Sequence, residues 1–143
     1  MTGNYPVAQS NQLSMIIKKE DFFPYPPEKI WKALTDPSAI SDWLMMTDFK
    51  AEVGCSFYLC GADGKIITGE VLEVIFPVKL VYSWKREGLV QPTTVTWSLH
   101  ELHEGTLLRL EHDGFDDSIP GIFELHNSRW DGKFDNLKKI LQS

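Results

Sequence analysis

The sequence predicts an α+β domain: a curved antiparallel sheet of about six or seven strands, wrapped round one long C-terminal helix, with two short helices after the first strand. Three observations predict it. Between residues 55 and 112 apolar and polar residues alternate in runs broken by Gly, Asp and Pro, the pattern of half-buried strands. Between Ser118 and Leu141 the apolar residues instead recur every three or four positions, which is one face of a helix. Between these two patterns and the first strand, prolines at 27 and 37 each open a short stretch with helical spacing.

The elements follow in order. Residues 1–11 are expected to form a flexible leader and residues 12–143 a single domain, since 143 residues are the size of one core. Leu13–Phe23 reads as a first strand, with Met15, Ile17 and Lys19 on one face. Pro24–Pro27 breaks it. Pro27–Leu34 reads as a short helix, with Glu28 complementing its dipole and Ile30, Trp31 and Leu34 on one side. Asp36 then caps a second helix that opens on Pro37 and ends near Trp43 and Leu44.

The strands come next. Cys55–Cys60 places Phe57 and Leu59 on one face, and Asp63-Gly64 signals a tight turn. Ile66–Phe76, closed by Pro77, is followed by Lys79–Arg86, a loop over Glu87–Pro92, and Thr93–Leu102, where Val95, Trp97 and Leu99 share a face. Thr106–His112 alternates again, with Leu108, Leu110 and His112 together. The final helix, Ser118–Leu141, carries Ile119, Phe123, His126, Trp130, Phe134, Leu137 and Leu141 as its apolar stripe. At about 24 residues it spans ~36 Å, enough to cross the sheet. A sheet curled round one helix seldom closes fully, and the gap is where an apolar ligand site is expected.

Composition narrows the function. With 43% hydrophobic and 24% charged residues the chain is neither disordered nor a bundle of membrane spans, and no run reaches the ~18 apolar residues of a span. A net charge of −6 argues against a nucleic-acid partner, which requires clustered Lys and Arg. The N-terminus has neither the basic start nor the apolar run of a signal peptide, so the expected location is the cytoplasm. Cys55 and Cys60 are expected to be reduced and to point to opposite faces, and no zinc spacing, phosphate-cradling loop or nucleophile elbow is present. No cofactor and no metal are expected.

Several strings resemble a known family. They are Pro27-Glu28-Lys29-Ile30-Trp31-Lys32-Ala33-Leu34-Thr35-Asp36-Pro37 with Trp43, then Gly69-Glu70-Val71-Leu72-Glu73-Val74 with Pro77, and Leu80-Val81-Tyr82-Ser83-Trp84. Val95–Leu99, the stretch from Gly105 to Phe115 and a late Trp130 complete the set. In order and spacing they resemble the heat-shock-protein-90 ATPase activator homologue-like family of the START-like (SRPBCC) superfamily, which includes polyketide cyclases and lipid-transfer domains. The resemblance covers about residues 13–142 and implies the helix-grip fold. Relatives often carry Gly-Trp in the last helix where this chain has Arg129-Trp130. The eukaryotic activators have a separate N-terminal chaperone-binding domain for which this chain has no room, so chaperone activation is not expected from the resemblance.

The candidate pocket lining is Phe57, Leu59, Tyr82, Trp84, Trp97, Leu110, His112, Phe115, Phe123, His126 and Trp130, drawn from the inner strand faces and the helix stripe. These rings either pack as core or surround a cavity for a small apolar or amphipathic molecule. Binding is the leading expectation. An alternative is a cyclase- or hydrolase-like enzyme using His112, His126 or an inward carboxylate, Glu70 or Glu73, which fall on opposite faces by parity. A chaperone-linked interaction role is the third. Trp31 and Trp43 read as structural, His100 and His103 as solvated, and Asp113, Asp116 and Asp117 as caps of the last helix. The domain is expected to be a monomer or homodimer.

Overall fold

The computed structural model describes residues 15–142. The expected leader, and the start of the first strand at Leu13, lie outside them. Within them the order is β1 (Ile17–Phe23), α1 (Pro27–Thr35), α2 (Pro37–Trp43), β2 (Met46–Thr47), β3 (Ser56–Cys60), β4 (Ile66–Ile75), β5 (Lys79–Arg86), β6 (Thr93–Leu102), β7 (Gly105–Asp113) and α3 (Ile122–Gln142). All neighbouring strands are antiparallel, in the order β1-β7-β6-β5-β4-β3-β2. The curled sheet grips α3, as the alternation and the helical stripe require.

Local chemistry sets the short helices. Pro27 and Pro37 begin them, and the Asp36 carboxylate accepts the Ala39 N–H at 3.0 Å, satisfying one of the donors a helix start leaves open. Trp43 Nε1 donates to the Ala33 carbonyl at 2.8 Å, tying the second helix to the first. Trp31 packs edge-on against Phe76. Both tryptophans are buried.

Four details depart from the sequence expectations. The last helix starts at Ile122, not Ser118, because Pro120 disfavours helical backbone at Ile119 and Gly121 sits at φ +79°. The three aspartates before it therefore do not cap it; Asp113, the last residue of β7, accepts from Gly114 N at 2.7 Å, and Asp116 accepts from Ser118 N at 2.9 Å in the connecting loop. Met46–Thr47 adds a two-residue edge strand on β3 that no sequence pattern announces. Cys55 lies just before β3; it and Cys60 are free and half-buried.

The fourth concerns the acids of β4. Val71 faces Tyr82 and Glu73 faces Val81, so Leu72 is an extra residue in a bulge. The bulge reverses parity. Val71 and Val74 point to the core, while Glu70 is exposed and Glu73 pairs with Lys79 at 3.2 Å on the surface. Neither carboxylate enters the interior. Gly69, earlier on the same strand, is needed for close approach: a Cβ there would lie 2.1 Å from the Ser83 carbonyl oxygen and 2.5 Å from Phe57 Cζ.

Candidate functional site

The inner faces of β5, β6 and β7 and the stripe of α3 bring Trp84, Trp97 and Trp130 together. Trp130 lies 5.4 Å from Trp84 and 5.6 Å from Trp97, centroid to centroid, and Trp43 closes on Trp97 at 5.9 Å. All are buried, and so are His112 and His126.

Indole N–H groups only donate, and this fixes the histidines. Trp130 Nε1 donates to His112 Nδ1 at 3.0 Å, so the His112 proton is on Nε2, which meets Thr93 Oγ1 at 2.7 Å. Thr93 Oγ1 donates its own O–H to the Trp84 carbonyl at 2.6 Å. Trp84 Nε1 donates to His126 Nε2 at 3.2 Å, so His126 carries its proton on Nδ1, and that N–H donates to the Ile122 carbonyl at 2.9 Å. Both imidazoles are neutral and all four of their nitrogens are in use. Burial holds the His112 pKa well below the ordinary histidine value, with His126 adding to the effect. Burial lowers that of His126 too, against the bond to Ile122, which raises it; the charges of Arg86 and Arg129 lower it further. The two rings lie 5.5 Å apart, yet neither offers a free nitrogen to a substrate, and no carboxylate of β4 joins them.

The rest of the candidate lining packs solid. Phe57 and Tyr82 form a cluster with Phe49, and Trp97 Nε1 donates to Tyr82 Oη at 2.9 Å; burial pushes the Tyr82 phenol well above its ordinary pKa. Phe115 sits between His112 at 4.5 Å, His126 at 4.9 Å and Phe123 at 5.8 Å. Leu59 and Leu110 are buried core residues.

Open space adjoins this cluster on one side. A cleft of about 430 Å³ runs between α3 and the β3–β4 hairpin, lined by Met45, Gly61, Ala62, Asp63, Lys65, Ile67, Arg86, Arg129, Gly132, Lys133 and Asn136. It shares Met45, Ile67, Arg86, Arg129 and Lys133 with a narrow recess of about 30 Å³ floored by Trp84, His126 and Trp130. Of the eleven candidate residues these three reach the recess; Phe57, Leu59, Tyr82, Trp97, Leu110, His112, Phe115 and Phe123 line neither space. The sequence reading missed Met45 and the cations. A usable signal was the helical spacing of His126, Arg129, Trp130 and Lys133, which brings the charges beside the ring stripe.

Asp63 organises the rim. Its Oδ2 accepts from Arg86 at 3.2 Å and Arg129 at 3.1 Å, while Oδ1 accepts the Lys65 N–H at 2.9 Å. The Lys65 bond first, then the two guanidiniums, hold its carboxyl below the usual range. Lys133 Nζ donates to the Leu44 carbonyl at 2.9 Å. Among the described residues no group of three or more His, Cys, Asp or Glu side chains is placed to hold a metal, and no helix is long and apolar enough to cross a membrane.

Comparison with known proteins places this geometry in context. Residues 24–142 match the family model described as Activator of Hsp90 ATPase homolog 1-like protein. A crystal structure of a Mesorhizobium loti protein is similar at 32% identity and a TM-score of 0.82, over 89% of this chain and 96% of that one. CalU16 of Micromonospora echinospora is similar at 27% identity and a TM-score of 0.76, over 88% of this chain and 75% of its own. An Hsp90 activator from Plasmodium falciparum is similar at 25% identity and a TM-score of 0.79, over 90% and 96%. No curated protein matches the chain.

Proposed function

The chain belongs to the family of Activator of Hsp90 ATPase homolog 1-like proteins, and from that premise we propose that it binds one small amphipathic molecule in the cleft between α3 and the β3–β4 hairpin. One observation carries this reading: the open cleft narrows onto a recess floored by two indoles and an imidazole. The apolar part of the ligand lies over Met45 and Ile67 and reaches toward Trp84 and Trp130. Binding is favoured over catalysis because both histidines spend their nitrogens on Trp, Thr and backbone partners.

The test uses N-phenyl-1-naphthylamine, a neutral apolar fluorophore. It is expected to quench tryptophan emission and raise the melting temperature. Gly132→Leu supplies the control. Gly132 lines the cleft, and a Cβ there meets nothing within 4 Å, so a side chain fills the space without straining the helix. This variant is expected to melt at or above the wild type and to lose the probe. Equal probe binding by the variant, or no response of the wild type to this probe and a broad apolar library, overturns the assignment.

A further inference from the structure

The rim of the cleft is charged against the trend of the molecule. The chain carries a net charge of −6, yet Lys65, Arg86, Arg129 and Lys133 line this one cleft and Asp63 is the only carboxylate among the lining residues. A single Asp63 oxygen serves both guanidiniums, and among the described residues neither makes another side-chain hydrogen bond. Each guanidinium has five N–H donors in a planar fork, so most of that capacity is unspent. Lys133 spends its bond on a neutral carbonyl. Its ammonium is held below the usual lysine pKa by burial and by the charge of Arg129, and among the described residues no carboxylate forms an ion pair with it. The Arg129 side chain is 48% exposed, so a ligand reaches it without unfolding anything.

Resting on the binding reading above, we infer that the cleft selects an anionic amphiphile, whose carboxylate, sulfonate or phosphate group seats among Arg86, Arg129 and Lys133 while its apolar body lies over Met45 and Ile67. An oxyanion takes the donors Asp63 leaves free, through charge-assisted bonds about twice as strong as neutral ones. Asp63 is then an internal competitor for the same guanidiniums. It keeps the rim assembled when the cleft is empty and weakens the ligand when it is full.

The experiment compares two probes with one ring skeleton: 1-anilinonaphthalene-8-sulfonate, which carries an acid group, and N-phenyl-1-naphthylamine, which does not. The sulfonate is expected to bind the wild type at least about tenfold more tightly, equivalent to ~1.4 kcal/mol, and to lose that margin as salt is raised. In the Arg129→Gln/Lys133→Gln double variant the ratio of the two affinities is expected to fall within about twofold of unity. Asp63→Asn keeps an acceptor for the Lys65 N–H but removes the competing charge, and it is expected to tighten the sulfonate about threefold or more. Equal affinities in the wild type, or a sulfonate affinity indifferent to both variants, overturn the anion inference. If Gly132→Leu still abolishes the neutral probe in that case, the cleft remains an apolar site. Failure of both probes to bind removes the two readings together.

Discussion

The interior ring cluster and the rim of the cleft are adjacent, and they use polar groups in opposite ways. In the cluster, the indole N–H groups of Trp84, Trp97 and Trp130 are matched to an imidazole lone pair or a phenol oxygen and that of Trp43 to a backbone carbonyl, and among the described residues no buried side-chain nitrogen or oxygen lacks a partner. Such groups cannot be re-paired without leaving one of them buried and unsatisfied, at a cost of about 1–3 kcal/mol. At the rim, two guanidiniums share one carboxylate oxygen in partly solvated surroundings, where exchange of partners costs little. The difference teaches that the dense set of rings and histidines is spent on the scaffold here, and that the sparse, under-paired charge of the rim is the part of the molecule on which the proposed ligand site rests.

The comparison is broken most severely by removing a ring. Trp97 is fully buried and touches Trp43, Trp130 and Phe134. Trp97→Ala is expected to cost about 3–5 kcal/mol in urea unfolding. A loss under about 1 kcal/mol would mean the cluster is loosely packed and open to ligands. Gly69→Ala is expected to cost about 1–3 kcal/mol, since the new methyl meets the Ser83 carbonyl and the Phe57 ring and one of them has to move. An unchanged unfolding midpoint would show that β4 yields at this point, and with it the wall that carries Phe57.

Much of this was legible in advance, for stated reasons. Period-two runs and punctuating Gly and Pro located β3 through β7 to within a residue or two, because one solvated face keeps the alternation clean. The convergence of Trp84, Trp97 and Trp130 followed from the same parity for the two strand residues and from the helical spacing for Trp130. The illegible parts are those where a single local event overrides a pattern. The bulge at Leu72 is invisible to parity and turned Glu73 outward. The φ +79° turn at Gly121 delayed the helix and uncoupled three aspartates from its cap. The cleft was hidden for a different reason. Asp63, Arg86 and Arg129 come from a turn, a strand end and a helix, and each reads alone as a solvated surface charge.

Acid sharpens the contrast. Both histidines have folded pKa values below the ordinary value of about 6.5, so the unfolded chain takes up protons first as pH falls. Their contribution to stability is complete above that pH. Below it, the contribution drains away toward the folded pKa values, by up to about 1.4 kcal/mol per pH unit for each histidine. His112→Gln keeps an acceptor for Trp130 and a donor for Thr93, so it is expected to flatten the dependence between pH 6.5 and pH 5 by about that amount. A wild type whose unfolding free energy is level over this range would show that the two imidazoles are not neutral and sequestered as the hydrogen bonds require.

The smallest expected effect is the most discriminating. The Arg129 side chain is 48% exposed and that of Asp63 32%, and Asp63 keeps Arg86 when Arg129 is gone. Pairs of this kind contribute about 0–1 kcal/mol, because solvent screens the attraction and ordering two long side chains offsets it. Arg129→Gln is therefore expected to change the unfolding free energy by no more than about 0.5 kcal/mol. A loss above ~2 kcal/mol would place Arg129 in the scaffold with Trp97 and dissolve the distinction between rim and interior. A near-zero change leaves the arginine without a structural reason to stand beside the ring stripe. Its unused N–H donors, beyond the one bond to an Asp63 oxygen already shared with Arg86, are then what the proposed anionic ligand would engage.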